Sequence, residues 1–368
     1  TVNTSFVNDY QGVEISLSKV MEKDELFNIG NSDEYTRVRF GLFAAENITA
    51  ADGSVIPADG LISEISLAEN MSAKFDTALP FGKYYVQEIA TDEHYVLNGK
   101  KYLVNFEYMG QEVTTVTVDC GEFKNALKRG KISGKKVDEN EKSLENALFG
   151  LFAVDTAEFT ADNAYMTAVS DENGHFEFDK IPYGEYIVRE IEAPTGYILS
   201  DESYPVTISE DGEVIEIKAV NKSTKVRISK QDITTGEELP GATLQIIDED
   251  GNVATEWVST DEAHFIEGKL IAGKEYTLRE TIAPDGYEIA SEIKFTVNTD
   301  GSVTEVVMYD EHTPDLEIPP TVTIDTPNTG VSADNSAELY LVAAAVIMAF
   351  GMVICKRNDK EQRKDDVK

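Results

Sequence analysis

Along most of the chain apolar and polar residues alternate in short runs, a period of two that places residues i, i+2 and i+4 on one face of a β-strand. The runs are separated by ADGS (51–54), DENG (171–174), EDGE (210–213), DEDGN (248–252) and TDGS (299–302), sequences that turn one strand back on the next. The alternating text also repeats. Tyr84 to Glu88, Tyr186 to Glu190 and Tyr276 to Glu280 share the form Y-x-V/L-x-E, and a second tyrosine follows each glutamate by seven residues, at Tyr95, Tyr197 and Tyr287. FGLFA stands at Phe40 to Ala44 and again at Phe149 to Ala153, with ATLQI at Ala242 to Ile246 as the third copy. Three all-β modules follow, near 1–128, 129–222 and 223–312, each expected to be a small antiparallel sandwich.

The same period sends charged residues inward. Lys19 shares a face with Ile15 and Leu17, Lys136 with Ile132 and Gly134, and Lys230 with Val226 and Ile228, whereas Lys135 points outward. Glu88, Glu190 and Glu280 fall on the apolar faces of their strands. At the module ends Asn221 aligns with Ile215, Ile217 and Ala219, and Asp310 with Val306 and Met308. In module one the matching residue is Asn125, which shares its face with Phe123, and Gly121 marks a bulge. Such groups are costly in a dry core. One reading is a satisfied buried ion pair or a lysine snorkelling at the sheet edge. The other is chemical: burial lowers a lysine pKa and raises that of a carboxyl, so a neutral amine could attack the Asn or Asp carbonyl while the glutamate shuttles protons. The product is a side-chain amide, with ammonia leaving from Asn and water from Asp, in a single turnover. Recurrence of the trio in one order in three modules favours the second reading.

Composition narrows the alternatives. The chain has 368 residues, with 68 acidic and 32 basic side chains and a net charge of -36, which repels phosphate backbones and gives nucleic-acid binding no electrostatic support. His94, His175, His264 and His312 are scattered, and Cys120 and Cys355 are the only cysteines, so no zinc-ligand spacing arises and disulfide stapling is excluded. The Asp-rich turns lack the twelve-residue calcium-loop pattern and read as plain turns. Neither a phosphate-binding glycine loop nor a nucleophile elbow is present. No cofactor is expected, nor a turnover enzyme.

The C-terminal text sets the compartment. Leu339 to Cys355 is a run of 17 uncharged residues, about 25 Å long as a helix, followed by Lys356 and Arg357. This is a transmembrane-helix pattern with a cytoplasmic tail at 356–368, the basic residues staying inside. A Pro-rich linker at 313–338 precedes it and contains Thr326, Pro327, Asn328, Thr329 and Gly330. At the other end TVNTSFVNDY has neither the basic nor the apolar region of a signal peptide, so the expected N-terminus is a processed end or a cut through a longer chain.

TPNTG before an apolar run and a basic pair resembles the LPxTG-like cell-wall sorting signal of Gram-positive surface proteins, with Thr326 where Leu is usual. The resemblance implies cleavage between Thr329 and Gly330 by a sortase, transfer to a peptidoglycan precursor, and transient membrane anchoring through 339–355. The Y-x-V/L-x-E text followed by APTGY or APDGY resembles the E-box of Gram-positive pilins, within the SpaA (Cna B-type, prealbumin-like) family. It covers 129–312 well and 13–128 less well, because module one has TDEHY in place of APxGY. The resemblance implies prealbumin-like or immunoglobulin-like sandwiches and isopeptide bonds joining Lys19 to Asn125, Lys136 to Asn221 and Lys230 to Asp310, with Glu88, Glu190 and Glu280 between them. Treated like a disulfide, the Lys136–Asn221 link stabilises through the unfolded state by about 4.5 kcal/mol.

The function that follows is a wall-anchored stalk or a minor or anchor pilin at the cell surface. Sortase, the wall precursor and other pilins are its partners. A polymerising shaft subunit is disfavoured because Tyr204-Pro205 continues into Val206 and no YPK text is present. The alternative is an adhesin that binds host matrix or glycan through its own modules. Trp257, the sole tryptophan, lies beside Val258 in strand-like text and is expected in the core.

Overall fold

The strand that opens each module lies in the middle of a sheet, beside the strand that closes the same module and parallel to it. The computed structural model describes residues 11–50 and 52–313. The 326–330 motif, the 339–355 run and the 356–368 tail lie outside the described residues.

Module one contains β1 (Gly12–Met21), β2 (Arg39–Ala44), β3 (Ile48–Thr49), β4 (Val55–Ile56), β5 (Leu61–Ser66), β6 (Ser72–Asp76), β7 (Gly82–Ala90), β8 (Tyr102–Phe106) and β9 (Thr115–Asn125). Module two contains β10 (Arg129–Asp138), β11 (Leu148–Ala153), β12 (Met166–Val169), β13 (His175–Pro182), β14 (Gly184–Glu192), β15 (Ser203–Ile208) and β16 (Val214–Asn221). Module three contains β17 (Lys225–Asp232), β18 (Thr243–Ile247), β19 (Val253–Val258), β20 (His264–Glu267), β21 (Glu275–Ile282), β22 (Ile293–Thr296) and β23 (Val303–Asp310). Each module packs a three-stranded sheet on a four-stranded one. The orders are β6-β1-β9 on β5-β2-β7-β8, β13-β10-β16 on β12-β11-β14-β15, and β20-β17-β23 on β19-β18-β21-β22. The small pair β3-β4 is an addition confined to module one.

The alternation read from sequence is what the sheets bury. On β1 the inward residues Val13, Ile15, Leu17 and Lys19 are buried, and on β16 only Ala219 and Asn221 of the inward set are fully enclosed. Tight turns use the Asp residues internally: the Asp171 carboxylate accepts the amides of Asn173 and His175, each at 2.8 Å, and Asp248 does the same for Asp250 and Asn252. Gly174, within the first of these turns, takes φ +73°.

Three details depart from the sequence reading. The sandwiches are not wholly antiparallel, because the opening and closing strands of each module pair in parallel. Leu244, not Ala242, lies opposite Glu280, just as Phe40 lies opposite Glu88 and Phe149 opposite Glu190. The third copy of FGLFA therefore begins at Leu244, two residues beyond the text match, because backbone pairing rather than residue similarity sets register. Trp257 is half-buried rather than deep in the core. It sits on edge strand β19, packs partly on the third core and stacks on His264 at 4.5 Å, while Val258 beside it is exposed.

At Gly134 the absence of a side chain is structural. A Cβ there would fall within the Phe176 ring, which lies across β10 and stacks on Phe149 with centroids 3.8 Å apart. The Phe149 ring in turn lies 5.4 Å from the Lys136 ammonium. On β9, Gly121 at φ +73° occupies the register shift that brings Phe123 and Asn125 back to the inner face.

The modules meet through short, bonded junctions. Phe27 of module one packs against Tyr165 and Tyr186 of module two, at 4.7 and 5.5 Å, and Arg129 pairs with Glu22 and Asp24 at 3.2 and 3.0 Å. The Leu127 amide donates to Glu22 at 2.9 Å. Between modules two and three, Ser223 Oγ lies between Glu139 and Glu267, at 2.8 and 2.7 Å. Gly196 in the APTGY turn, at φ +86°, abuts the Gly268 carbonyl so closely that no side chain fits.

The second tyrosine of each repeat ties its turn to the end of the opening strand. Tyr95 donates to the Glu22 carbonyl at 2.9 Å, Tyr197 to Asp138 at 3.4 Å and Tyr287 to Asp232 at 2.7 Å. The Tyr287 hydroxyl, with the Thr235 and Thr234 amides and nearby His312, holds the Asp232 carboxyl down at about 2.

Two outcomes test this packing. Gly134→Val should force Phe176 out of place and destabilise module two by about 1–3 kcal/mol, seen as a lower denaturation midpoint. Because the folded Asp232 value is depressed below the ordinary value of about 3.9, its stabilisation is complete above about pH 4 and lost as pH falls through about 2. Tyr287→Phe removes the leading hydrogen bond, so near-UV circular dichroism should show module three losing structure at a higher pH during acid titration. An unchanged acid limb would argue against the clamp.

Candidate functional site

Each sandwich encloses one lysine, one glutamate and one amide or acid, contributed by three strands. The lysine comes from the opening strand and the amide or acid from the last residue of the closing strand. Parallel pairing sets Lys19 beside Phe123 with Met21 beside Asn125, Lys136 beside Ala219 with Asp138 beside Asn221, and Lys230 beside Met308 with Asp232 beside Asp310. Two residues of offset put both side chains on one face.

The glutamate enters from the opposite sheet at a bulge. Arg39 faces Ala90 while Phe40 faces Glu88, leaving Ile89 unopposed, and the same slip occurs at Ile191 and Thr281. The extra residue follows the glutamate directly, so the strand is bent just where the carboxylate must reach the other sheet. All nine side chains are at most 4% exposed. Period-two reasoning places these residues inward, and the structure brings each trio together.

In module two the geometry is closed. The Lys136 amine bonds Asn221 Oδ1 and lies 2.9 Å from Glu190 Oε1, which accepts Asn221 Nδ2 at 2.9 Å. The other carboxylate oxygen of Glu190 accepts the Ser200 amide at 3.0 Å. Module three is similar: Lys230 bonds Asp310 Oδ1 and lies 3.0 Å from Glu280 Oε1, and the Ala290 amide donates to Glu280 Oε2 at 2.7 Å. Module one differs. Lys19 donates to Glu88 Oε1 at 2.6 Å, Asn125 Nδ2 donates to the same oxygen at 3.0 Å and to Thr91 Oγ1 at 2.8 Å, and the Asn98 amide completes Glu88 at 2.8 Å. Asn125 Oδ1 is buried without a hydrogen-bond partner.

The electrostatics follow from burial. Desolvation lowers the Lys19 and Lys136 amines below the ordinary lysine value, with Glu88 and Glu190 pulling the other way. Burial raises the Glu280 carboxyl, against the Ala290 amide and Lys230 that stabilise its anion, and the Asp310 charge adds to the rise. Module three encloses two acids and one amine. One proton beyond an ammonium and two carboxylates makes the cluster neutral, whichever group holds it. Glu280 Oε1 and Asp310 Oδ2 are both buried without an aligned hydrogen-bond partner, Glu280 Oε1 being near Lys230 without hydrogen-bond alignment.

Several participants are not visible in the inward pattern. The Asn98, Ser200 and Ala290 amides all stand ten residues after their glutamates and fix the distal carboxylate oxygen. Their common offset is the signal in sequence, although a backbone donor leaves no residue-type mark. Phe40 and Phe149 form the floor under the amines of modules one and two, at 5.7 and 5.4 Å. The second partner of the Asn125 amide, Thr91, stands three residues after Glu88, where the other modules have Ala193 and Ala283.

Comparison with known proteins bears on the same strands. Residues 130–223 and 224–312 each match the SpaA prealbumin-like fold domain. A trypsin-resistant surface T6 protein of Streptococcus pyogenes serotype M6 is 26% identical over 233 residues, which is 61% of this chain and 36% of that protein. The chain thus spans about a third of the length of that curated relative. Among solved structures, the Bacillus anthracis TIE protein aligns over 81% of this chain and 51% of its own at 22% identity and a TM-score of 0.49. BcpA, the major pilin subunit of Bacillus cereus, aligns over 82% and 99% at 14% identity and a TM-score of 0.39. Residues 130–223 and 224–312 are therefore tandem domains of the SpaA prealbumin-like fold family, each with a lysine, a glutamate and an amide or acid buried between its first and last strands.

Proposed function

We propose that this chain is a structural stalk or a minor or anchor pilin of a Gram-positive cell surface, stiffened by side-chain amide bonds that its modules form themselves. The observation that carries the reading is the contact of a buried lysine amine with the acyl oxygen of the last strand's final residue, Asn221 in module two and Asp310 in module three. The neutral amine attacks the side-chain carbonyl carbon. Glu190 or Glu280 relays one amine proton to the leaving group, so ammonia departs from Asn221 and water from Asp310, which reacts as its neutral acid. The product occupies the site, and each module reacts once.

The fold explains why such bonds suit a stalk. Opening and closing strands are parallel, so tension on the chain loads them in shear. A Lys136–Asn221 bond would leave only the segment from Arg129 to Lys136 on the load path and take the rest of module two off it. Junctions such as Arg129 with Glu22 and Asp24, and Phe27 between tyrosines, would hold successive modules in line. Surface display is part of the same proposal: a sortase cuts between Thr329 and Gly330, within Thr326 to Gly330, and passes the chain to a peptidoglycan precursor. The 339–355 run holds it in the membrane beforehand.

Intact mass of the purified chain tests the reading. Bonds in modules two and three predict a deficit of about 35 Da against the sequence mass, about 17 Da as ammonia and about 18 Da as water. Glu190→Ala should restore the ammonia share and Glu280→Ala the water share. A folded chain at full sequence mass would reduce the clusters to buried polar networks.

A further inference from the structure

The three clusters form an internal comparison, because spacing from glutamate to second tyrosine is the same in all modules and positions between them correspond without gaps. Two clusters place the amine on the acyl oxygen. The third does not. Lys19 hydrogen-bonds Glu88 alone, and Asn125 Oδ1, the atom that corresponds to Asn221 Oδ1, is enclosed without a partner.

The difference lies in the amide's other end. Asn221 Nδ2 donates to Glu190 Oε1 only, whereas Asn125 Nδ2 donates both to Glu88 Oε1 and to Thr91 Oγ1. With both N–H groups engaged the amide plane is fixed, and its carbonyl is held off the amine. The amide orientation is set by Glu88, since a flipped Asn125 would turn its oxygen toward a carboxylate oxygen. At the position of Thr91 the other modules carry Ala193 and Ala283, which have no side-chain acceptor.

We infer that Thr91 is a positioning residue that keeps module one in an unlinked form, by anchoring the Asn125 amide nitrogen away from the geometry that modules two and three adopt. The inference rests on the crosslinking reading above. The withheld reaction balances within the cluster. A bond forms between Lys19 Nζ and Asn125 Cγ, the Cγ–Nδ2 bond breaks, one amine proton stays on the new amide, and the other leaves with Nδ2 as ammonia by way of Glu88. The anchor opposes the last step too, because the leaving nitrogen must gain a proton and depart while Thr91 and Glu88 hold it as a planar donor. A module without its bond would remain extensible, so a stalk containing it has one compliant unit beside two stiff ones.

The test uses the full chain with three substitutions, read by intact mass and by peptide mapping for a Lys19–Asn125 linked pair. The unsubstituted chain is expected at a deficit of about 35 Da and Thr91→Ala at about 52 Da, the added ammonia mapping to Lys19 and Asn125. Thr91→Ser keeps the hydroxyl and should remain at about 35 Da, an outcome that loss of packing alone would not give. Ala193→Thr installs the anchor in module two and should cut the deficit to about 18 Da. Thr91→Ala that keeps its near-UV circular dichroism and stays at about 35 Da overturns the inference while leaving the crosslinking reading standing, as does a linked pair in the unsubstituted chain. An unsubstituted folded chain with no deficit overturns both.

Discussion

A lysine amine enclosed among carboxylate and amide groups between the two sheets is the constraint around which each module is arranged. An ammonium in a dry interior is costly unless it is paired. The parallel pairing of first and last strands supplies one partner and the bulged strand of the opposite sheet supplies the other. Much else serves that arrangement. Phe176 packs on Phe149, the ring beside the lysine of module two, because Gly134 leaves room for it, and backbone amides ten residues beyond each glutamate fix the carboxylate that faces the amine.

The modules solve the charge problem in different ways. Module two encloses one acid and one amine, and the Asn221 amide bridges them as donor and acceptor. Module three has Asp310 in place of an amide and so needs one more proton, which agrees with the raised Glu280 carboxyl. Module one pairs its charges directly and sends the amide elsewhere, to Thr91. A single hydroxyl changes which atoms meet, although all three modules share strand order and the residue types lysine and glutamate.

Between modules, the same physical logic operates at the surface. Glu22 and Glu139 follow the opening strands of their modules, each accepts an amide of the next linker, and each lies near a basic residue of the following module, Arg129 or Lys225. Exposed ion pairs of this kind contribute little individually. Their value here is orientation, since they act beside the half-buried aromatic contacts of Phe27 with Tyr165 and Tyr186, which remove apolar surface from water.

Local chemistry determined what could be read from the text. Strand periodicity placed Lys19, Lys136, Lys230 and the three glutamates inward because a β-strand alternates faces without reference to the rest of the chain. Gly and Asp marked the turns for an equally local reason, tolerance of positive φ and hydrogen bonding to nearby amides. Contacts between distant segments were decided only in three dimensions. Residue similarity set ATLQI beside FGLFA, but pairing with the strand that carries Glu280 moved the correspondence to Leu244. Trp257 alternates like a core residue, yet its strand is at a sheet edge, and strand order is not written in the pattern of any one strand. The meeting of Thr91 with Asn125, 34 positions along the chain, belongs to the same class. Periodicity fixes the face a side chain takes, whereas the atom it touches depends on how two sheets, a bulge and a turn pack together.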